Sequence, residues 1–313
     1  MLRPKDRKRA AELASALKIY AQKHHALPGI SSPKHEEVLI QQLLESIHRV
    51  QYVPLIKRRP ISATRADSHS DAFDPLKAAI LKFDAGAFDE AVWLVFIFVH
   101  FGKSAKTGWR LARDVYGALG GQPWTWARLS AAPQSFQSWL ASNQSTLDGG
   151  DGVERQFGPH RHYQSRSATK ATGTGAAFQT YVEWVGPTRT HRTRFDQALA
   201  DAKGSAHAAF DILYRSMRAV TSFGRLARFD YLTMLGKLDF LPISPGSTYM
   251  TNATGPVRGA RLLFGDKNNK LGARELESRL ADLDGIAKVG MQALEDGLCN
   301  WQKSPAKFTP FRG

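Results

Sequence analysis

The sequence predicts a mostly α-helical protein, and three observations lead to this class. Apolar residues recur at three- and four-residue spacing along most of the chain, as on the buried face of a helix. The alternating apolar and polar pattern of β-strands is scarce. The composition, with 42% hydrophobic and 23% charged residues, is that of a chain that buries a core. We therefore expect helices packed against helices.

The N-terminal part is expected to be a basic helical extension that ends in a loop. Apolar spacing predicts an amphipathic helix over residues 4–24 and a second helix over 34–50. The segment 53–75 contains prolines and many polar residues, which is typical of a loop. Arg58 and Arg59 lie in this loop and are candidate contacts to a nucleic-acid backbone, although a solvated basic loop fits the same pattern.

The main helical domain is expected to cover residues 74–313, which leaves 1–73 as the extension. Asp74 followed by proline is a typical helix start. The segment 88–102 is apolar on nearly every face and predicts a central buried helix, followed by a helix over 109–119.

A polar, Gly- and Ser-rich segment at 145–175 predicts a long loop inserted into this domain. Loops of this length in compact domains are usually functional or disordered. Beyond this segment, further helices are predicted at about 175–185, 192–201, 205–219, 225–238, 256–264, 271–283 and 286–303.

Charge and composition restrict the function. Lys plus Arg number 43 against 28 Asp plus Glu, and the formal net charge is +15. Such an excess suits a polyanionic partner, because basic side chains that neutralise phosphates release counterions; a merely basic protein is the alternative. The single cysteine, Cys299, excludes a disulfide scaffold and a four-cysteine metal site. We expect a soluble cytoplasmic protein with DNA as partner, no membrane contact, no cofactor, no metal and no predicted protein partner.

The most informative segment is 209–246, in which an amphipathic helix leads into Ser222, Phe223 and Gly224 and a second helix starts at once. A helix-hairpin-helix clamp on DNA needs this arrangement. Glycine lets the backbone approach a phosphate, and the N–H groups at the start of the second helix bind the anion. Arg225 reinforces that contact. An ordinary corner between two helices is the alternative.

The order of elements resembles the helix-hairpin-helix DNA glycosylase superfamily. Residues 92–116 resemble its buried helix, the loop that wedges into the duplex and the following helix; Lys103 and Ser104 lie in that loop. The resemblance implies a fold of this type and a flipped-out base. Leu226 stands where bifunctional members carry a lysine, so strand scission through a Schiff base is not expected. The superfamily's catalytic aspartate falls at Ser244.

Longer segments are similar to the α-glutamyl/putrescinyl thymine pyrophosphorylase-like family, clade three. The matching segments are DEAVWLVFIFVHFGK, GWRLARDVYG, YVEWVGP, LYRSM, SFGRLARFDYLTMLGKL and TGPVRGARLLFG. The family name implies chemistry on hypermodified bases of phage DNA. Some prokaryotic relatives are antiviral glycosylases that remove glucosylated hydroxymethylcytosine. The resemblance implies an enzyme acting on a modified pyrimidine and leaves open whether it removes or decorates that base.

A glycosylase needs a carboxylate near the sugar, which stabilises an oxocarbenium-like transition state and orients water. Asp230 and Asp239 are the candidates. The alternative for Asp230 is an ion pair with an arginine on its own helix, and the alternative for Asp239 is the capping of a turn. Glu183 lies between two aromatic residues, where an acid is often buried and perturbed; a surface position is equally compatible.

Candidate substrate and DNA contacts lie in two further segments. In 158–166, a base pocket and a phosphate-binding loop fit the pattern, two histidines without a nearby acid make a poor metal site, and a solvated loop is the alternative. In 244–265, a Gly-Pro helix start with arginines favours a DNA-backbone contact, and the absence of a Lys-Ser/Thr pair excludes a P-loop. The predicted pocket residues are His160, His162, Tyr163, Ser244 and Tyr249, and the predicted DNA contacts are Arg161, Arg258 and Arg261.

Three functions remain open from the sequence. The first is a monofunctional DNA glycosylase that excises a modified pyrimidine in defence against phage. The second is a transferase that attaches an amine or amino acid to a hydroxymethyl pyrimidine in DNA. The third is a DNA-binding protein without catalysis.

Overall fold

A computed structural model describes residues 3–161 and 164–310. These residues form fourteen α-helices and no β-strand, which confirms the mostly α class. In chain order the helices are α1 (Arg7–Lys23), α2 (Pro33–Lys57), α3 (Pro75–Asp84), α4 (Phe88–Phe101), α5 (Arg110–Tyr116), α6 (Trp126–Ala131), α7 (Pro133–Ser142), α8 (Thr174–Val185), α9 (His191–Asp201), α10 (Ala206–Ser216), α11 (Arg225–Lys237), α12 (Gly255–Phe264), α13 (Ala273–Ala287) and α14 (Met291–Trp301).

Most predicted helices lie close to these bounds, with three exceptions: α6 and α7 were not predicted, and α2 is longer than expected. It continues to Lys57 and so enters the segment 53–75 that was predicted to be a loop. Pro54 lies inside this helix and removes one backbone hydrogen bond. Val53 is buried on the same helix, so apolar packing continues up to the proline and outweighs its effect.

The chain divides into two compact units. We call Met1–Val53 with Pro245–Arg312 the terminal unit, and Pro54–Ser244 the central unit. The terminal unit thus combines the two ends of the chain. The boundary between residues 73 and 74, which was drawn from composition, stays a prediction.

The core of the terminal unit is formed by α1, the first part of α2, and α12 to α14. On α1, apolar residues at helical spacing, among them Leu13, Leu17 and Tyr20, are buried in this core. They pack in one cluster with residues of α13 and α14, including Leu276, Leu280 and Trp301. This packing, more than helix propensity, explains why α1 forms.

The central unit is built around α4. Its residues from Ala91 to Ile97 are fully buried, which confirms the predicted central helix. Phe96 stacks on Phe223 with ring centroids 4.8 Å apart and lies 3.9 Å from the ring of Tyr181. The helix therefore anchors α8 and the corner between α10 and α11.

A buried hydrogen-bond chain crosses this core. Asp89 Oδ1 bonds to Nδ1 of His191 at 2.8 Å, and Nε2 of His191 bonds to the hydroxyl of Tyr181 at 2.9 Å. The Tyr181 hydroxyl bonds to that of Tyr231 at 2.8 Å. Burial lowers the pKa of His191, and its bond to Asp89 opposes this shift. The chain ties α4, α8, α9 and α11 together beside Asp230, the neighbour of Tyr231.

None of the helices within residues 3–161 and 164–310 combines the length and apolar composition that a bilayer crossing requires.

Candidate nucleic-acid interface

The corner between α10 and α11 lies at the surface of the central unit. Phe223 is buried against Phe96 and attaches the corner to the core of the central unit. Ser222 adopts a positive φ of 58°, which turns the chain sharply. Gly224 is exposed, and a Cβ atom placed on it would meet no atom within 4 Å. The corner thus has a fixed inner side and an open outer side.

Gly224 is the N-cap residue of α11 and brings no capping side chain. The first turn of an α-helix presents N–H groups and the positive end of the helix dipole, and anions bind there. An exposed glycine directly before a helix of 13 residues is a geometry that suits a DNA phosphate.

Hydrogen bonds fix the corner to the segment 158–175. The side-chain amide of Gln164 donates to the carbonyl oxygen of Ser222 at 2.7 Å, and the hydroxyl of Ser222 donates to the carbonyl oxygen of Thr172 at 2.6 Å. The backbone N–H of Thr221 donates to the hydroxyl oxygen of Thr180 at 2.9 Å. The segment that was predicted to be a loop insertion therefore supports the corner.

Three arginines concentrate positive charge at this corner. Burial lowers the pKa of Arg228, and the positive charges of Arg218 and Arg225 lower it further, while Tyr214 acts in the opposite direction. The guanidinium of Arg228 lies 4.5 Å from the ring centroid of Tyr214 and donates to its carbonyl oxygen at 3.1 Å. Arg218 is exposed. Mutual repulsion of these cations favours binding of an anion beside them.

Asp230 lies one helical turn beyond Leu226, on α11, and is held by Arg161. The Nη2 atom of Arg161 donates to Oδ2 of Asp230 at 2.7 Å, and its Nε atom donates to the carbonyl oxygen of Val99 at 2.7 Å. The side chain of Arg161 is 7% exposed and that of Asp230 is 37% exposed. Asp230 therefore has a fixed position and one side open to solvent.

This geometry changes the interpretation of Arg161. It was predicted to contact DNA, but burial and three hydrogen-bond acceptors, including the carbonyl oxygen of His160, leave its guanidinium inside the fold. His160 itself is exposed. His162 and Tyr163, the other predicted pocket residues of this segment, lie outside the described residues.

The other two candidate acids have different surroundings. The Asp239 side chain is 79% exposed and lies 3.8 Å from the Lys57 ammonium, at a positive φ of 55° just past α11. Glu183 is exposed and accepts a hydrogen bond from Gln179 at 2.9 Å. Of the two settings that the sequence left open for Glu183, the structure shows the surface position, because residues one and two positions apart on a helix face different sides.

The predicted wedge loop is a tight turn. Ser104 and Gly108 exchange two backbone hydrogen bonds of 3.0 Å. Ser104 is 4% exposed, and its hydroxyl oxygen accepts from the N–H groups of Lys106 and Thr107. Its position indicates that it shapes the turn, whereas Lys103 is exposed and available to DNA.

Two glycines bring this turn against the segment 158–161. The N–H of Gly158 donates to the carbonyl oxygen of Phe101 at 2.8 Å. A Cβ atom on Gly158 would lie 2.8 Å from the carbonyl carbon of Gly102, so only glycine permits this approach. The turn, the segment that carries Arg161 and the hairpin corner are thereby joined in one part of the central unit.

A cavity of about 570 Å³ lies beside this framework. Its lining residues are Asp148, Gln156, Phe157, Gln164, Ser165, Arg166 and Lys170. Gln164 also bonds to the hairpin corner, and the ring of Phe157 stacks on Phe101 with centroids 5.6 Å apart. Sequence reasoning missed most of these residues; the only signal was that they fall in the polar segment 145–175.

The remaining predicted residues lie elsewhere. Ser244, half-buried at the end of the central unit, bonds to Nδ1 of His207 at 3.2 Å. Arg58 and Arg59 are exposed directly after α2. No group of three or more His, Cys, Asp or Glu side chains suited to a metal ion occurs among the residues that the structure describes.

Within the terminal unit, Tyr249 is half-buried and Arg258 is exposed on α12. Arg261 donates to the carbonyl oxygen of Leu271 at 3.0 Å and to the side chain of Asn269 at 3.1 Å. These bonds hold the loop after α12, so a DNA contact through Arg261 would have to compete with them.

Comparison with known proteins assigns the family. Residues 34–313 match the family described as alpha-glutamyl/putrescinyl thymine pyrophosphorylase clade 3. The match extends over most of the chain, so the protein belongs to this family, as the sequence segments indicated. No curated protein and no solved structure matches the chain. The likeness to the wider glycosylase superfamily stays a prediction.

Proposed function

We propose that the protein is a monofunctional DNA glycosylase. It excises a modified pyrimidine, a glucosylated hydroxymethyl base of phage DNA, and leaves an abasic site as part of antiviral defence. The observation that carries the proposal is Asp230, a half-open carboxylate that buried Arg161 holds one turn beyond an open hairpin corner. Family membership supports an enzyme that acts on modified bases.

The first step is binding of the DNA strand at the hairpin corner. A phosphate binds the N–H groups at the start of α11, where Gly224 leaves room for the backbone. Arg218 and Arg225 add positive charge at the same point. Lys103 on the wedge turn contacts the duplex while the target nucleotide leaves the stack.

The second step is accommodation of the everted base. The cavity of about 570 Å³ is within the range of small-molecule sites and has room for a base with a bulky substituent. Gln156, Gln164 and Ser165 supply hydrogen-bonding groups for a hydroxylated substituent. Phe157 supplies an apolar wall.

The third step is hydrolysis. The N-glycosidic bond breaks, its electron pair leaves with the base, and positive charge develops at the sugar. Asp230 stabilises this charge and orients a water molecule, whose oxygen forms the new bond to the anomeric carbon. The departing base and the new hydroxyl share the two protons of water. Leu226 offers no amine, so water is the nucleophile and the strand stays intact.

The second candidate is a transferase that hypermodifies hydroxymethyl pyrimidines in DNA. The family description, which names a pyrophosphorylase, favours it. Arg166 and Lys170 line the cavity and suit a pyrophosphate group, although Arg166 is paired with Asp148 at 2.8 Å. A DNA-binding protein without catalysis is the third candidate.

Product analysis separates the candidates. The protein is incubated with duplex DNA that carries glucosylated hydroxymethylcytosine, and with the same DNA that carries cytosine. Release of the free modified base, with strand breaks only after alkali, is the expected result. A gain of base mass that depends on an added amine supports the transferase. Binding with neither product supports the third candidate.

Asp230→Asn tests the assigned acid. The substitution keeps the size of the side chain and removes its charge, so base release is expected to fall about 10²- to 10⁴-fold. The matched control is Asp239→Asn. Asp239 is an exposed acid two residues after the end of α11, and this variant is expected to keep wild-type activity. Equal activity of both variants would refute the role of Asp230 but not the glycosylase reaction.

A further inference from the structure

Helix α1 lies outside the segment that matches the family, which starts at residue 34, yet it is an integral part of the terminal unit. Leu13, Leu17 and Tyr20 are buried in the core of that unit. Arg9 fixes the helix further, because its guanidinium donates to the carbonyl oxygens of Ala287 and Lys288 at 2.8 Å. The helix is therefore a rigid, fully docked element.

The outer face of α1 is cationic. Arg7, Lys8, Lys18 and Lys23 are exposed, and none forms an ion pair or side-chain hydrogen bond with another residue in 3–161 or 164–310. Ala11 and Ser15 lie between them, together with the exposed side chains of Ile19 and Gln22. The acid on the helix, Glu12, is already paired with Arg9 at 3.1 Å.

We propose that this face of α1 is a second nucleic-acid surface, which binds the phosphate backbone of DNA independently of base sequence. From Arg7 to Lys23 the helix extends about 24 Å, or roughly seven base pairs of duplex. Its cations are carried on a packed helix, so the backbone positions from which they project are fixed before binding. The surface is distinct from the hairpin corner and does not depend on the proposed excision reaction.

Burial of the apolar face selects DNA over a membrane. A basic amphipathic helix binds a lipid surface by inserting its apolar side between the headgroups. The apolar side of α1 is occupied by the core of the terminal unit, as the burial of Leu13 and Tyr20 shows. The outer side carries four cations and one exposed large apolar side chain, Ile19, so it presents no apolar stripe to a bilayer, whereas a polyanion with regularly spaced phosphates fits its charge.

The experiment uses the full chain and an unmodified 20-base-pair duplex, so it is independent of catalysis. Lys8→Gln, Lys18→Gln and Lys23→Gln are combined in one variant. The matched control combines Lys267→Gln, Lys303→Gln and Lys307→Gln, three exposed lysines of the same unit, and so makes the same change in net charge. Affinity is measured by fluorescence anisotropy between 50 and 200 mM salt. Circular dichroism checks that both variants fold.

We expect the plot of log affinity against log salt to be shallower for the α1 variant, by about 2 to 3 in slope. We also expect its affinity at 150 mM salt to be at least about tenfold lower. The control is expected to keep a slope within about 1 of the wild-type value. Equal losses in both variants, or an unchanged slope in the α1 variant, would overturn the proposal.

A vesicle arm tests the membrane alternative. Vesicles of 70% neutral and 30% anionic phospholipid are sedimented with the wild-type protein and with the α1 variant. The proposal expects no binding that depends on α1. If the wild-type protein binds these vesicles as tightly as DNA and the α1 variant does not, the surface belongs to a membrane and the proposal fails.

Discussion

The starts of α11 and α12 carry similar sequences and have different structural roles. Gly224 directly precedes α11 and Gly255 is the first residue of α12, and each helix has an arginine in its first turns. At α11, a Cβ atom on Gly224 would meet nothing within 4 Å. At α12, a Cβ atom on Gly255 would lie 2.5 Å from Sγ of Cys299, and one on Gly259 would lie 2.3 Å from the carbonyl oxygen of Leu298.

The difference shows that glycine serves two purposes at a helix start. In α12 it lets the protein's own helix α14 come close, so the glycines hold the terminal unit together. In α11 it leaves an open approach at the surface, so the same residue type is available to a ligand. Only the surroundings of the glycines distinguish the two helix starts.

The central unit is expected to be the acid-sensitive one. Burial lowers the pKa of His100 from 6.5 to about 3, and the charge of Arg161 contributes. Between these pH values the unfolded chain binds a proton that the folded unit excludes, so stability falls as the pH decreases, by about 1.4 kcal/mol per pH unit. From pH 6.5, where half of the unfolded imidazoles are still neutral, to pH 4.5, the loss is about 2.3 kcal/mol. Hydrogen exchange of peptides from α4 measures it.

His100→Gln provides the control, because a glutamine side chain does not titrate in this range. It is expected to flatten the pH dependence of α4. Peptides of the terminal unit, whose described histidines are not fully buried, are expected to change less. An equal loss in both units, or an unchanged pH dependence in the variant, would contradict the assignment.

Gly259→Ala is expected to destabilise the terminal unit by about 1–3 kcal/mol, because the added methyl group overlaps the backbone of α14. Gly285→Ala, inside α13, meets nothing within 4 Å and is expected to stabilise the same unit by about 0.5–1 kcal/mol. Thermal unfolding of the two variants gives the comparison. A Gly259→Ala variant that is as stable as the wild-type protein would show that this glycine of α12 has no packing role.

Gly224→Ala is expected to lower DNA affinity about tenfold, or about 1.4 kcal/mol, because the methyl group lies where the phosphate approaches. Its φ of −66° suits alanine, so the change in stability stays below about 1 kcal/mol. Anisotropy with a short duplex and thermal unfolding measure the two effects. Unchanged affinity would remove the hairpin corner from the DNA contact.

Arg218→Gln is expected to reduce the slope of log affinity against log salt by about 1, with a loss of a few-fold in affinity. Arg215→Gln, on the preceding helix, is the matched control, since Arg215 is paired with Asp211 at 2.9 Å. A larger effect of Arg215 than of Arg218 would place the strand away from the corner.

Local pattern predicted much of the fold. The apolar segment 88–102 became the buried α4, and the corner at Ser222–Gly224 lies where the sequence indicated. These features depend on residues close in sequence, whose spacing decides helix, face and turn. Glu183 shows the limit of this reasoning, because its aromatic neighbours are buried while it is exposed.

Contacts between residues that are far apart in sequence could not be predicted. Arg161 and Asp230 are 69 residues apart in sequence, and no local signal indicated that one holds the other. The same applies to the terminal unit, in which residues from the two ends of the chain share one core. The cavity walls come from a segment without regular helix spacing, so only the presence of a long loop was predictable.

Exchange of the backbone amides in the first turn of α11 tests whether the hairpin corner holds DNA. The first N–H groups of an α-helix have no partner within the helix, so a bound phosphate can accept from them. We predict that binding of a short duplex slows the exchange of the amides of Leu226 and Ala227, and that Gly224→Ala abolishes this protection. Tight DNA binding that leaves the exchange of these two amides unchanged would contradict the claim that the corner holds the strand.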